Sequence, residues 1–238
     1  MDDYKTLHEK ISADIRKKII TKEYRVNETI PKEIDLANHY GVSRPTVRQA
    51  IQTLVDEGYL ERKKGTGTFV RQKKINQDFI HIIRSYEDEL KSRGFIPITK
   101  VINFSIEKAD EEIAKKLRLN IDDPIYTLTR LRYANDEPAV FVITHIPFKL
   151  YDNLLDVDFT KSSLYSTFEK YNRPIYALER ELSVIKSTYI SSAMLNIPVG
   201  DPLFYFKTIG YSKDKTPIEY SISWYRGDYN SFEIRINM

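Results

Sequence analysis

Two sets of side chains in this sequence have the types and the spacing to do chemistry, and both suit anions. In residues 41–55, GVSRPTVRQAIQTLV, a helical repeat puts Val47, Ala50, Ile51, Leu54 and Val55 on one face and Arg44, Thr46, Arg48 and Gln49 on the other. Guanidinium forks bond guanine edges bidentately, a glutamine amide matches adenine, and hydroxyls bond phosphates, so the polar face suits the major groove of DNA. The second set is Arg130 and Arg132. They alternate along a strand-like run, so both guanidiniums leave the same face of a sheet. Two adjacent cations repel unless an anion joins them, and a phosphate accepts hydrogen bonds from both. Ser163 and Tyr165, at the start of a helical stretch, add hydroxyls and a positive helix end.

These side chains need elements to position them. Ser43 can cap the helix over residues 44–55, and Pro45 falls in its first turn, where a proline loses no hydrogen bond. Upstream, IPKEIDLANHY predicts a short helix with Ile34, Leu36 and Ala37 inward, ending at Gly41, where a tight turn needs positive φ. Before it, residues 25–30 read as extended. Residues 4–20 predict an opening helix with Leu7, Ile11, Ile15 and Ile19 as its inward stripe. Downstream, EGYLERKKGTGTFV predicts a two-stranded wing with a basic tip at Arg62, Lys63 and Lys64. Gly65 and Gly67 there let the backbone approach a phosphate.

Beyond a polar linker at residues 72–78 the pattern changes. Residues 79–93 predict a helix. Strands are expected at 100–106, 125–133, 139–147, 179–186, 202–211, 218–225 and 232–236, with helices at 110–119, 162–171 and 191–195. The fold class is α+β: an N-terminal winged helix-turn-helix domain over residues 1–71, then a mostly antiparallel-sheet domain over 79–238.

Composition supports this division. A chain of 238 residues with 41% hydrophobic content can fill two cores. The net charge of +3 is unevenly spread: residues 1–75 carry 16 basic against 11 acidic side chains, leaving 21 against 23 in the rest. The basic excess follows the proposed DNA-facing helix and wing. With no cysteine and four scattered histidines, neither a metal site nor thiolate chemistry is expected, and no cofactor is implied. The charged start, MDDYKTLHEK, and the lack of a long apolar run lead to a cytoplasmic expectation with no membrane partner.

Residues 4–71, through IPKEIDLANHYGVSRPTVRQAIQTLVDEGYLERKKGTGTFV, resemble the winged helix-turn-helix head of the GntR family of bacterial transcription regulators. The resemblance implies operator contacts from Ser43, Arg44, Thr46 and Arg48, and from Lys64, Gly65 and Gly67 in the wing. Ile34 departs from the family's DNA-contacting arginine. Lys32 departs from its small capping residue and offers a phosphate contact instead. Residues 79–238 resemble the UTRA effector-binding domain of the HutC subfamily, a fold shared with chorismate lyase. SYEDELKSRGF, IYTLTRLRYANDEPAVFVITHIPF, SSLYSTFEKY and PIEYSISWYRGDYNSF carry that likeness. It implies a phosphorylated-sugar effector held by Ser85, Arg130, Arg132, Ser163 and Tyr165, with Glu219 and Tyr225 on the sugar and Val142 in place of a common acidic ligand-binding residue.

The expectation is a ligand-responsive regulator, a repressor released by a small anion. One head offers too few base contacts for genomic specificity, so a homodimer on a pseudo-palindromic double-stranded operator is expected. An enzyme of the chorismate-lyase fold and a ligand-independent DNA-binding protein stay open as alternatives. Against the enzyme, the sequence has no nucleophile elbow, metal-ligand spacing or distinctive carboxylate pair, and fold alone confers no chemistry.

Overall fold

The computed structural model describes residues 6–71, 75–77 and 86–232. The chain forms two compact units, the first ending at Lys73 and the second beginning at Lys74. In the first, α1 (Leu7–Ile20), α2 (Glu33–Tyr40) and α3 (Arg44–Asp56) close on Ile11, Ile15, Leu36, Val47, Ile51 and Leu54, all nearly inaccessible to solvent. Each such aliphatic side chain contributes about 1.5–3 kcal/mol by leaving water. Leu7 (62% exposed) and Ile34 (49% exposed) depart from the expected inward stripes. Both lie in the first turn of their helices, where the apolar stripe outruns the core.

The local signals around α3 act as expected. The Ser43 side chain accepts from the Thr46 N–H at 3.4 Å, and Gly41 takes φ 63° between α2 and α3. The wing is an antiparallel pair, β1 (Leu60–Lys63) and β2 (Gly67–Val70). Residues 25–30 are less extended than expected. Asn27 turns at φ 67°, and the stretch meets β2 as an isolated antiparallel bridge, Thr29 opposite Phe69, with backbone hydrogen bonds between Asn27, Glu28 and Ile30 and Val70 and Thr68.

The second unit is organised by one six-stranded antiparallel sheet made of β4 (Pro97–Lys108), β5 (Pro124–Ala134), β6 (Glu137–Pro147), β7 (Ala177–Lys186), β8 (Pro202–Tyr211) and β9 (Pro217–Arg226), in the order β4-β5-β6-β9-β8-β7. Three cross-strand rows share one face of it: Arg132–Val140–Tyr225–Phe204, Arg130–Val142–Ser223–Phe206 and Thr144–Ser221–Thr208–Arg180. The opposite face carries α5 (Glu111–Leu117), packed on Ile125, Ile209 and Tyr220, and α7 (Tyr189–Leu195), packed on Phe141 and Leu203.

Two expectations are corrected here. Within the expected linker, β3 (Ile75–Gln77) pairs in parallel with β10 (Asn230–Phe232), and Ile75 is fully buried. A partner this distant in sequence leaves no local signal. Of the helix expected over 79–93, the described part is α4 (Tyr86–Ser92); residues 79–85 lie outside the described residues, as do 233–236 of the expected last strand. Finally, α6 (Leu164–Lys170) follows Ser163 as its N-cap.

Candidate functional site

On the first unit, the polar face of α3 points outward. Ser43, Arg44, Arg48 and Gln49 are exposed and Thr46 is half-buried. Lys32 is exposed and precedes α2 without capping it through its side chain. Lys64 and Gly65 form the exposed wing tip, and Gly65 and Gly67 adopt φ 78° and 135°, values that favour glycine. One contact was invisible in the sequence. Arg48 donates to Glu33 through Nη2 at 2.9 Å and Nε at 3.2 Å, while Arg62 of the wing stands 3.6 Å from the same carboxylate. The Arg48 hydrogen bond holds the Glu33 carboxyl below its ordinary range. A single carboxylate thus ties α2 to the reading helix and to the wing.

On the second unit, a cleft of about 850 Å³, counting the space in its mouth, opens over the sheet face that carries the three rows. Arg130, Arg132, Ser163, Tyr165, Glu219 and Tyr225, named from sequence, all line it; Ser85 lies outside the described residues. β5 delivers the two arginines, α6 delivers Ser163 and Tyr165, and β9 delivers Glu219 and Tyr225.

Arg130 is 3% exposed and donates from Nη2 to Thr144 Oγ1 at 3.2 Å. Its Nε and the Tyr86 hydroxyl are buried with no hydrogen-bond partner among the described residues. Burial first, and then the neighbouring Arg132 charge, push the Arg130 guanidinium well down from its ordinary range. Because a guanidinium keeps its proton, the physical content is a buried cation short of counter-charge. Arg132 lies over the Tyr86 ring at 4.9 Å. Glu219, 1% exposed, accepts from the Tyr165 hydroxyl at 2.8 Å and from Ser221 at 3.4 Å; Ser221 in turn meets Thr144 at 3.2 Å. Burial pushes the Glu219 carboxyl up, opposed by the Tyr165 hydrogen bond and by Arg130, Arg180 and Arg132. An unbroken polar chain therefore runs Arg130–Thr144–Ser221–Glu219–Tyr165 along the cleft floor.

Residues 7–70 match the bacterial regulatory proteins described as the gntR family, and residues 92–230 match the UTRA domain. The chain is 35% identical over 227 residues to the HTH-type transcriptional repressor NagR of Bacillus subtilis (strain 168), covering 95% of this chain and 93% of that one. The chain belongs to the gntR family. It is also 28% identical to the mannosyl-D-glycerate transport/metabolism system repressor MngR of Escherichia coli (strain K12), over 97% of this chain and 96% of that protein. The crystal structure of PhnF from Mycobacterium smegmatis superposes with a TM-score of 0.74 at 25% identity, covering 95% of this chain and 99% of PhnF.

This gntR-family chain is a DNA-binding transcription regulator with a small-molecule effector domain, and not an enzyme. Among the described residues, no cluster of His, Asp and Glu could hold a metal, and no helix is long and apolar enough to cross a membrane. Three residues of the regulator were missed from sequence. Glu33 stands in the first turn of α2, where a carboxylate suits the positive helix end and nothing local points to Arg48. Arg180 reaches the cleft because β7 lies beside β8, although its alternation with Leu178 and Leu182 already assigns its face. Gly210 faces Glu219 across β8 and β9, where a Cβ would come within 2.7 Å of Glu219 Cγ.

Proposed function

We propose that this regulator is a cytoplasmic repressor that binds a pseudo-palindromic operator as a homodimer and is released by a phosphorylated sugar. Ser43, Arg44, Thr46, Arg48 and Gln49 enter the major groove, Lys32 meets a phosphate, and Lys64, Gly65 and Gly67 approach the backbone from the wing. In the cleft, Arg130 and Arg132 take the phosphate with Ser163, Tyr165 and Ser85, while Glu219 and Tyr225 meet the sugar. The observation that carries this reading is the buried, under-compensated Arg130 beside Arg132 in the cleft that Ser163, Tyr165, Glu219 and Tyr225 also line. Repression is supported by the names of NagR and MngR, and sugar-related chemistry by the mannosyl-D-glycerate system named for MngR.

A route from cleft to head also has physical support. Tyr86, Phe206 and Tyr225 line the cleft and share a buried cluster with Ile75, which stands directly after the linker to the head. An effector that shifts these rings moves the point from which the head is held. Coupling of about 1–3 kcal/mol is the usual scale for such a device. Fluorescence anisotropy with operator DNA tests the reading: phosphorylated sugars release the wild type from DNA, whereas Arg130→Met binds operator normally and ignores them. Release of that variant at wild-type concentrations removes Arg130 from the account.

A further inference from the structure

Tyr86, the first residue of α4, lines the cleft but belongs to neither group of residues named for the effector. It is 9% exposed, and its hydroxyl is buried with no hydrogen-bond partner among the described residues. Its ring packs in the cluster of Ile75, Leu90, Phe206 and Tyr225, and carries the Arg132 guanidinium at 4.9 Å. A phenylalanine would supply the same packing and the same ring face to the cation. An unmet buried hydroxyl costs the folded protein stability, so its use lies in a state with something bound.

Other donors of the same cleft share this condition. The Arg130 Nε is buried without an acceptor, and Arg132 makes no hydrogen bond or ion pair with a described residue. Tyr165 differs, because its hydroxyl is spent on Glu219 at 2.8 Å, whereas the Tyr86 proton is uncommitted. Three groups therefore await an acceptor: two guanidiniums side by side on β5 and one phenol beneath the second of them. A phosphate group brings three terminal oxygens, each a strong acceptor.

We propose that Tyr86 is a direct ligand of the effector's phosphate, its hydroxyl donating to the anion that Arg130 and Arg132 hold. The proposal rests on the phosphate reading above and adds α4 to the elements that grip the anion. Its consequence reaches beyond affinity. The ring of Tyr86 shares its cluster with Ile75 of β3, so an anion held by the hydroxyl is tied through one side chain to the strand that follows the linker.

Calorimetric titration of the full chain with glucose 6-phosphate and with inorganic phosphate, in wild type and Tyr86→Phe, tests this. The variant keeps the ring, its place in the cluster and its contact with Arg132, and removes the hydroxyl alone. Affinity for glucose 6-phosphate should fall by about ten-fold or more, the usual scale for a hydrogen bond to a charged group, and affinity for inorganic phosphate should fall with it. The unliganded variant should melt at or above the wild-type temperature and bind operator as wild type does. Equal ester affinity in the two proteins overturns the assignment and leaves the arginine cradle standing. So does a weakened ester beside undiminished inorganic phosphate, which puts the hydroxyl on the sugar, or a variant that melts well below wild type, which gives the hydroxyl to the fold. Failure of wild type to bind either probe sinks the phosphate reading and this inference together.

Discussion

Under the proposed function the head and the cleft both present arginines to anions, and the two sets are held in opposite ways. Arg48 on the head is exposed and already held by Glu33, so it is oriented before any partner arrives. Arg130 in the cleft is buried, with one neutral hydroxyl acceptor and an unpartnered Nε among the described residues. An exposed, braced cation suits a polyanion that must bind and leave, with an affinity screened by salt. A buried, under-compensated one suits a single small anion, bound tightly and shielded from salt. On the proposed function, the head's specificity lies in geometry and the cleft's affinity in under-compensated charge.

The largest expected effect breaks this contrast at the cleft. Arg130→Met should reduce phosphate-ester affinity by at least about 100-fold, the cost of losing a buried charged hydrogen-bond partner. The unliganded protein should melt close to wild type, because Arg132 loses a repelling neighbour while Glu219 loses one of its neighbouring cations. Calorimetry of binding and of melting checks both halves. At the head, Arg48→Ala should cost about 1–3 kcal/mol of operator affinity if the residue reads a base, and lower the slope of log affinity against log salt by about 1 if it meets a phosphate. Titrations at several salt concentrations separate the two roles.

A pH series sharpens the comparison further. Burial raises the folded-state value of Glu219 above the ordinary 4.5, so the folded protein keeps that proton to higher pH than the unfolded chain. Its contribution to stability is then complete below 4.5 and is lost as pH rises through the raised value. Glu33 has the opposite sign: its value is depressed, so its contribution is present above 4.5 and fades as pH falls through the lowered value. Because Arg48 is largely exposed, this second effect is the smaller one. Chemical denaturation of Glu219→Gln should therefore show less loss of stability than wild type between pH 4.5 and neutrality. The smallest effect belongs to Gly41→Ala. Open space surrounds the site, so only the φ of 63° opposes a side chain, at about 1 kcal/mol.

What could be read from sequence follows how local each cause is. The α3 stripe and its Ser43 cap are set within a few residues, and both hold. Arg130 and Arg132 share a face because a strand repeats every two residues, whatever the sheet order. Ile34 failed because an eight-residue helix has too few turns for periodicity to choose between core and rim. Glu33 clamping Arg48 and Arg62, β3 finding β10, and Arg180 reaching the arginine pair on β5 through the order β5-β6-β9-β8-β7 all depend on distant segments meeting. Periodicity carries no information about such meetings. The resemblance to a known effector domain is what grouped Glu219 and Tyr225 with the arginine pair beforehand.

The central claim is that the cleft's arginines hold the effector. Its most direct test is calorimetric titration of glucose 6-phosphate into wild type and Arg130→Met, at low and high salt, alongside operator binding by both proteins. The account predicts salt-tolerant ligand binding in wild type, none in the variant, and operator affinities that match each other and fall steeply with salt. Equal ligand binding by the two proteins would contradict it.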